Sequence, residues 1–135
     1  MANALFAFFK EQLLQATVDL DDSIVLVFVD HLDDTPVPAT DDFLDDILSA
    51  ARVATSGAFA SKTFTGGVFD AADVTVTAVT GDPFESIVPY NNTPATDATK
   101  DLIAFIDTAT GLPFTPSGGD ITVAWDNGAN KIFKL

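Results

Sequence analysis

The amino-acid sequence predicts a mainly β protein: an antiparallel β-sandwich or barrel, of jelly-roll or immunoglobulin-like size, with an N-terminal amphipathic helix and one short further helix. Three observations predict it. From Arg52 onward, short runs rich in Val, Ile, Thr and Phe alternate with turns of Gly, Pro, Asp and Asn. Within them, residues 74–80 place valines on one side and threonines on the other, the pattern of a half-buried strand. Of the 20 acidic residues, only Glu11 and Glu85 are glutamates, and aspartate is a poor helix former but a good turn residue. The 135 residues fit one domain, residues 1–135, long enough to bury a core without disulfides; the chain has no cysteine.

The first element is helical. Leu5, Phe8, Phe9, Leu13 and Ala16 recur at helical spacing, Phe6 and Leu14 widen the apolar stripe, and Asn3 is a candidate cap. Residues 1–16 are therefore either a helix on the domain's own sheet or an arm that docks on a neighbouring subunit. On the arm reading, Leu5, Phe6, Phe8, Phe9 and Leu13 bind the partner, and deleting residues 1–16 leaves a folded β body that cannot assemble. Residues 23–29 form the clearest strand, apolar on both faces and so covered on both. Residues 30–46 hold three Asp-Asp pairs, Pro36 and Pro38, and read as an exposed loop. Asp41 or Asp42 is placed to cap a short helix through Phe43, Leu44, Ile47 and Leu48 to Ala51.

Further strands are expected near residues 52–55, 61–65, 74–80, 85–90, 102–107, 121–126 and 131–134. Pro89 interrupts one of them, and proline cannot donate to a ladder, so that strand lies at an edge or is bulged there. Asn127-Gly128 is the strongest hairpin signal in the chain and predicts that the last two strands pair with each other. Trp125 alternates with Val123 and is read as core.

Charge narrows the function. Residues 1–50 carry 11 acids and one base, and residues 51–135 carry nine acids and five bases. An acidic surface of this kind disfavours nucleic acid, whose binding rests on Lys and Arg at phosphates, and anionic membranes for the same reason. Lys10 and Glu11 cut short the apolar opening, which also lacks a basic n-region, so no secretory signal is expected. No apolar run reaches membrane-span length.

Chemistry is sparse. The single histidine, His31, is expected to be a loop residue at a strand end, because no Gly-x-Ser-x-Gly elbow accompanies it. There is no P-loop and no Gly-x-Gly-x-x-Gly. Aspartates in 30–46 are plausible oxygen ligands for Ca²⁺, yet the EF-hand spacing is absent. The expectation is no catalytic residue, no cofactor and no metal: not an enzyme. Twelve Phe against one Tyr and one Trp point to packing in a core or between permanently associated subunits.

The second half carries a resemblance. Arg52-Val-Ala-Thr-Ser-Gly57, Lys62-Thr63, Thr65-Gly-Gly-Val68, Asp70-Ala-Ala-Asp-Val-Thr75 and Thr77-Ala-Val-Thr-Gly-Asp82 lead into Leu102-Ile-Ala104 and Ile106-Asp-Thr-Ala-Thr-Gly-Leu-Pro113. Gly118-Gly-Asp-Ile-Thr-Val123 and Trp125-Asp-Asn-Gly-Ala-Asn-Lys-Ile-Phe-Lys-Leu135 close the chain. Over residues 50–135 these runs resemble a family of small tailed-bacteriophage virion structural proteins. The Phe-rich opening and the Asp-rich loop depart from that pattern. The resemblance implies a capsid decoration or cement protein that stabilises the head by binding the major capsid protein. It also implies a homo-oligomer, with a trimer favoured, located in the virion after synthesis in the host cytoplasm. A tail, baseplate or head–tail connector component is the first alternative, separable by copy number. A host-surface or carbohydrate-binding module is the second, and its sign is an exposed aromatic platform.

Overall fold

The computed structural model describes residues 2–135. Its strands are β1 (Ala4–Leu5), β2 (Ile24–Val29), β3 (Arg52–Thr55), β4 (Val68–Phe69), β5 (Val74–Val76), β6 (Ser86–Asn91), β7 (Ala104–Phe105), β8 (Ile121–Val123) and β9 (Phe133–Lys134), with one α-helix, α1 (Ala7–Leu14). Every strand pairing is antiparallel. The protein is thus β-rich, as expected, with one α-helix among the described residues where two helices were expected. The strands form small sheets, β3–β2–β6, β1–β7, β4–β9 and β5–β8, and no closed barrel is present among the described residues.

β2 is the centre of the fold because its sequence allows nothing else. Ile24-Val-Leu-Val-Phe-Val29 has β-branched and aromatic residues at five of its six positions, and all six are buried. Such a strand needs a partner on each edge and cover on each face. β3 and β6 supply the edges.

The pairing then continues outward from β6. Ile87 bridges Ile106 and Tyr90 bridges Leu102, so residues 102–106 run beside β6, and β1 adds to β7 on the far side. Two residues separate the bridges on β6, but three separate them on the 102–106 segment. That extra residue is a bulge in the 102–106 segment opposite Pro89. β6 itself keeps an unbroken register with β2 and is the edge strand of β3–β2–β6, the edge position being one of the two expected for the Pro89 strand. The carbonyl of Pro89 accepts the N–H of Ile103 at 2.9 Å, and Pro89 has no N–H to return. The carbonyl of Ile103 instead accepts the N–H of Phe6 at 3.1 Å. A missing donor in β6 therefore leaves an acceptor that anchors the N-terminal segment.

That segment packs on its own chain. Phe6 and Phe9 are fully buried, and Phe9 meets Phe133 edge to face at 5.8 Å. Leu5 and Leu13 are partly buried against the core, and Phe8 lies edge to face on Phe43 at 5.0 Å. Five of the residues assigned to a partner are thus engaged at home, and for Phe6 and Phe9 no surface remains. The helix is also shorter than expected. It starts at Ala7, with Phe6 at its N-cap, because residues 4 and 5 are drawn into the pairing with β7. Asn3 is no cap: its Oδ1 accepts the N–H groups of Asp107 and Thr108, both at 2.9 Å, and its Nδ2 donates to the carbonyl of Thr108.

Three other expectations need correction. The short helix over 43–51 is two 3-10 turns, Leu44–Asp46 and Ser49–Ala51, and neither Asp41 nor Asp42 caps it. Asp46 does so from the far end, its Oδ2 accepting the N–H groups of Asp42 at 2.7 Å and Phe43 at 3.1 Å. The strand expected at 61–65 is a single bridge, Thr63 to Asp70, followed by a 3-10 turn. The terminal hairpin does not form: β8 pairs with β5, and β9 pairs with β4. A tight Asn-Gly hairpin turn needs positive φ at both residues. Neither Asn127 nor Gly128 has it; the left-handed residue is Lys131, at φ 49°.

The half-buried strand is shorter than expected and faces as predicted only over residues 74–77; Val79 has the parity of Thr75 and Thr77 yet is buried, because the chain changes direction at Ala78. Val74, Val76 and Val79 are buried, while Thr75, Thr77 and Thr80 are exposed. The strand stops at Val76, and Ala78 has a left-handed backbone (φ 50°).

Candidate functional site

An apolar cleft of about 740 Å³ is bounded by β1, β7, β8 and the approach to β9. Its floor is made by rings and branched chains of the core: Phe28 from β2, Phe84, Ile87 from β6 and Phe105 from β7. Its walls are less covered. Leu5, Ile106, Leu112, Ile121 and Val123 are only partly buried, and Phe114 is 37% exposed. Phe114 is held at the wall by stacking on Phe84 at 5.6 Å and by paired backbone bonds with it. Apolar surface left open in a concavity of this size has the dimensions of a ligand site.

Trp125 closes one part of the cleft. It is 8% exposed, as its reading as core requires, and Phe59 tilts against its ring at 5.4 Å. Its backbone N–H is fixed by Asp73 Oδ1 at 3.0 Å. Its indole Nε1–H, however, is buried without an acceptor, the one such side-chain group among the described residues. Native interiors rarely leave a donor in that state.

Several other polar groups of the lining are occupied. Asp120 Oδ1 accepts the N–H of Ala78 at 2.9 Å, Thr122 shares a hydroxyl bond with Thr75 at 2.9 Å, and Asn3 holds residues 107 and 108. Lys131 lies 4.0 Å from Asp70.

His31 sits where a strand-end loop histidine was expected. Its Nε2 lies 2.8 Å from Ser86 Oγ, its ring stacks on Phe105 at 5.9 Å, and its N–H donates to Glu85 Oε2. The Ser–His contact has the spacing of a nucleophile and base. Ser86 is 0% exposed, so the pair as it stands is an internal hydrogen bond that joins the loop to β6.

Carboxylates gather in two places. Asp30, Asp33 and Asp82 bring one oxygen each within 4.8 Å of one another. Hard cations such as Ca²⁺ take oxygen ligands in this way, but need about 6–8 of them, so one oxygen from each of these three residues fills at most half a shell. Asp30 is buried and its Oδ1 already accepts the N–H of Leu32 at 2.8 Å.

The second group is Asp41, Asp42 and Asp101. Burial, ahead of all other causes, pushes each carboxyl above its ordinary value. Neighbouring acids add to it: Asp46 and Asp34 for Asp41, Asp46 and Glu11 for Asp42, and Asp42 for Asp101. A raised carboxyl holds its proton longer in the fold than in the unfolded chain. Stability from these three groups is therefore greatest in acid, near the ordinary carboxylate range, and declines as pH rises through the raised values. Asp101→Asn is expected to raise the unfolding free energy at pH 7 by about half a kcal/mol, as for removal of a part-exposed like charge. The gain should shrink as the pH approaches 4. Urea unfolding of both proteins at the two pH values checks this.

No protein-family model matches the chain, and no curated protein shows significant similarity to it. Sequence reasoning found Trp125 but not the cleft, because the lining is assembled from residues spread between Asn3 and Phe133.

Proposed function

We propose that the chain is a structural protein of a tailed-phage particle, a decoration protein that stabilises the head by binding the major capsid protein. The observation that carries this reading is the resemblance over residues 50–135, most specific from Gly118 to Leu135. The bound unit is a homo-oligomer, with a trimer favoured, on the outside of the virion, where a net charge of −14 keeps the protein clear of packaged DNA. We read β3–β2–β6 and the smaller strand pairs as the two layers of an irregular sandwich. Such a body is rigid without cofactor or disulfide.

With Phe6 and Phe9 engaged at home, the adhesive contact passes to apolar side chains on the acidic loops. Leu32 is 89% exposed and Leu48 58% exposed. Their loops are tied together by Asp34 Oδ2, which accepts the N–H of Leu48 at 2.8 Å. Asp33, Asp34 and Asp45 flank these leucines in sequence, so the complementary surface is apolar at its centre and basic around it. Contacts of this size are weak singly and act together at the high copy number of a capsid lattice.

Mixing the protein with purified undecorated capsids tests the reading. Stoichiometric binding is expected, and Leu32→Asp should weaken it about tenfold, as for loss of one well-placed apolar contact. Absence of binding across salt and pH would sink the proposal. In purified virions, a copy number comparable to the capsid subunit fits decoration. A number far below it assigns the chain to the tail, baseplate or head–tail connector.

A further inference from the structure

We infer that Asn127-Gly128 is a site of spontaneous covalent modification, at which the Asn127 amide is lost as ammonia and an isoaspartyl or aspartyl residue takes its place. The inference stands apart from virion membership, since it rests on one loop.

The chemistry is intramolecular. The backbone nitrogen of Gly128, on losing its proton to hydroxide, attacks Cγ of Asn127. The new Cγ–N bond closes a five-membered succinimide, the Cγ–Nδ2 bond breaks, and ammonia leaves. Water then opens the ring. Cleavage of the new Cγ–N bond gives aspartate, whereas cleavage of the original peptide C–N bond leaves the chain running through Cβ and Cγ as an isoaspartyl link. Water is consumed, ammonia is released, and nothing is oxidised or reduced.

Ring closure of this kind is fast where nucleophile and carbonyl carbon can meet, and slow where the fold holds them apart. Three observations place Asn127 in the first case. The Asn-Gly step is not locked in a tight hairpin turn: residues 124–127 carry no regular structure, and residues 126–130 are exposed between β8 and β9. Among the described residues, neither the Asn127 side-chain amide nor the Gly128 N–H makes a hydrogen bond, and only the Asn127 carbonyl is engaged, by Lys131 Nζ at 3.4 Å. Gly128 has no Cβ, and one built there would lie 2.8 Å from Asp126 Oδ2. Without it, nothing on residue 128 blocks the Asn127 side chain as it swings onto the nitrogen.

The other four of the five asparagines lack these features. Asn3 holds residues 107 and 108, and Asn91 is buried with its amide on Asp22. Asn92 and Asn130 precede Thr93 and Lys131, whose side chains crowd the attacking nitrogen. The product changes the charge of the loop. Lys131, its one base, already lies 4.0 Å from Asp70 and gains a second carboxylate neighbour in a chain at −14. β9 stays in place, because Phe133 is held by Phe9 and Phe69.

The test incubates the full chain in mildly alkaline buffer, folded and, in parallel, unfolded in guanidinium chloride. Both samples are mapped by proteolysis and mass spectrometry, with aspartyl and isoaspartyl peptides separated by chromatography. Conversion of Asn127 ahead of every other asparagine is expected in the folded chain, at a rate within about tenfold of the unfolded chain's. Asn127→Gln should remove it, because the longer side chain closes its ring far more slowly. Three results would overturn the inference: a folded rate more than about tenfold below the unfolded one, first conversion at another asparagine, or isoaspartate in the 126–130 segment of Asn127→Gln at the rate of the unmodified sequence. The rates are read on the unmodified sequence, so the result holds even if the variant fails to fold.

Discussion

Phe9→Ala will lower the unfolding free energy by about 3–5 kcal/mol, the cost of removing a large buried aromatic from a core that cannot fully collapse. The expectation rests on position. Phe9 is the one fully buried residue of α1, and its ring meets Phe133, which in turn lies 5.3 Å from Phe69. These contacts join the first helix to β9, at the other end of the sequence, and through it to β4 in the middle. Total stabilities of natural domains are only about 5–15 kcal/mol, so the variant should be close to unfolding at room temperature. Leu14→Gln is the control: Leu14 is 89% exposed, and its replacement should change stability by less than about half a kcal/mol. Urea denaturation followed by circular dichroism reads both. Deletion of residues 1–16 should likewise unfold the domain, because it also removes Phe6 and the Asn3 clamp on residues 107 and 108. If Phe9→Ala instead costs under about 1 kcal/mol, the helix is a detachable arm and its apolar residues return to the list of partner contacts.

Arg52→Ala should cost about 2–3 kcal/mol, roughly one charge-assisted hydrogen-bond network. The guanidinium holds three segments together. Nε and Nη2 donate to the carbonyl of Ile47 at 2.9 and 2.6 Å, Nη2 donates to the carbonyl of Leu44 at 2.7 Å, and Nη1 meets Asp97 Oδ2 at 2.7 Å. Lys100 completes the cluster at 3.1 Å from Asp97 Oδ1. Alanine would leave the Ile47 carbonyl without either donor. Lysine lacks the planar fork, so Arg52→Lys should recover less than half of the loss. A pH signature accompanies the energy. Hydrogen bonds from Arg52 and then Lys100 hold the Asp97 carboxyl below its ordinary value. A depressed carboxyl contributes stability above the unfolded value of about 3.8, and that contribution is lost as pH falls through the folded value. In Arg52→Ala this acid-side loss should diminish, so the two proteins should differ less at pH 2.5 than at pH 7. An unchanged pH dependence would show that the ion pair does not act in solution.

What the residues alone determined is what depends on neighbours in sequence. β2 was legible because six apolar residues in a row cannot be solvated on either face. The facing of Val74 and Val76 followed from alternation, whereas Val79 is buried only because the backbone turns at Ala78. The edge position of the strand that carries Pro89 followed from a missing N–H, and the burial of Trp125 from its alternation with Val123. These are consequences of covalent geometry and of local hydrophobic period, and they survive whatever the rest of the chain does.

Only the tertiary structure decided which distant segments meet. The Asn-Gly signal is real as local chemistry, yet β8 and β9 gain more by pairing with β5 and β4, which bury Val74, Val76 and Phe69 at the same time. Asn3 had the identity of a helix cap and became a clamp on residues 107 and 108, because residues 4 and 5 add to β7 instead of starting the helix. Whether the Phe-rich opening serves its own core or a neighbour's is invisible to periodicity, since both uses need the same apolar stripe; burial of Phe6 and Phe9 answers it. The cleft is the extreme case. Its lining joins residues between Ala104 and Phe133 to Asn3–Leu5, Phe28, Phe84 and Ile87, so no local pattern marks it. It exists because packing is a property of volume, and volume is shared only after the chain has folded.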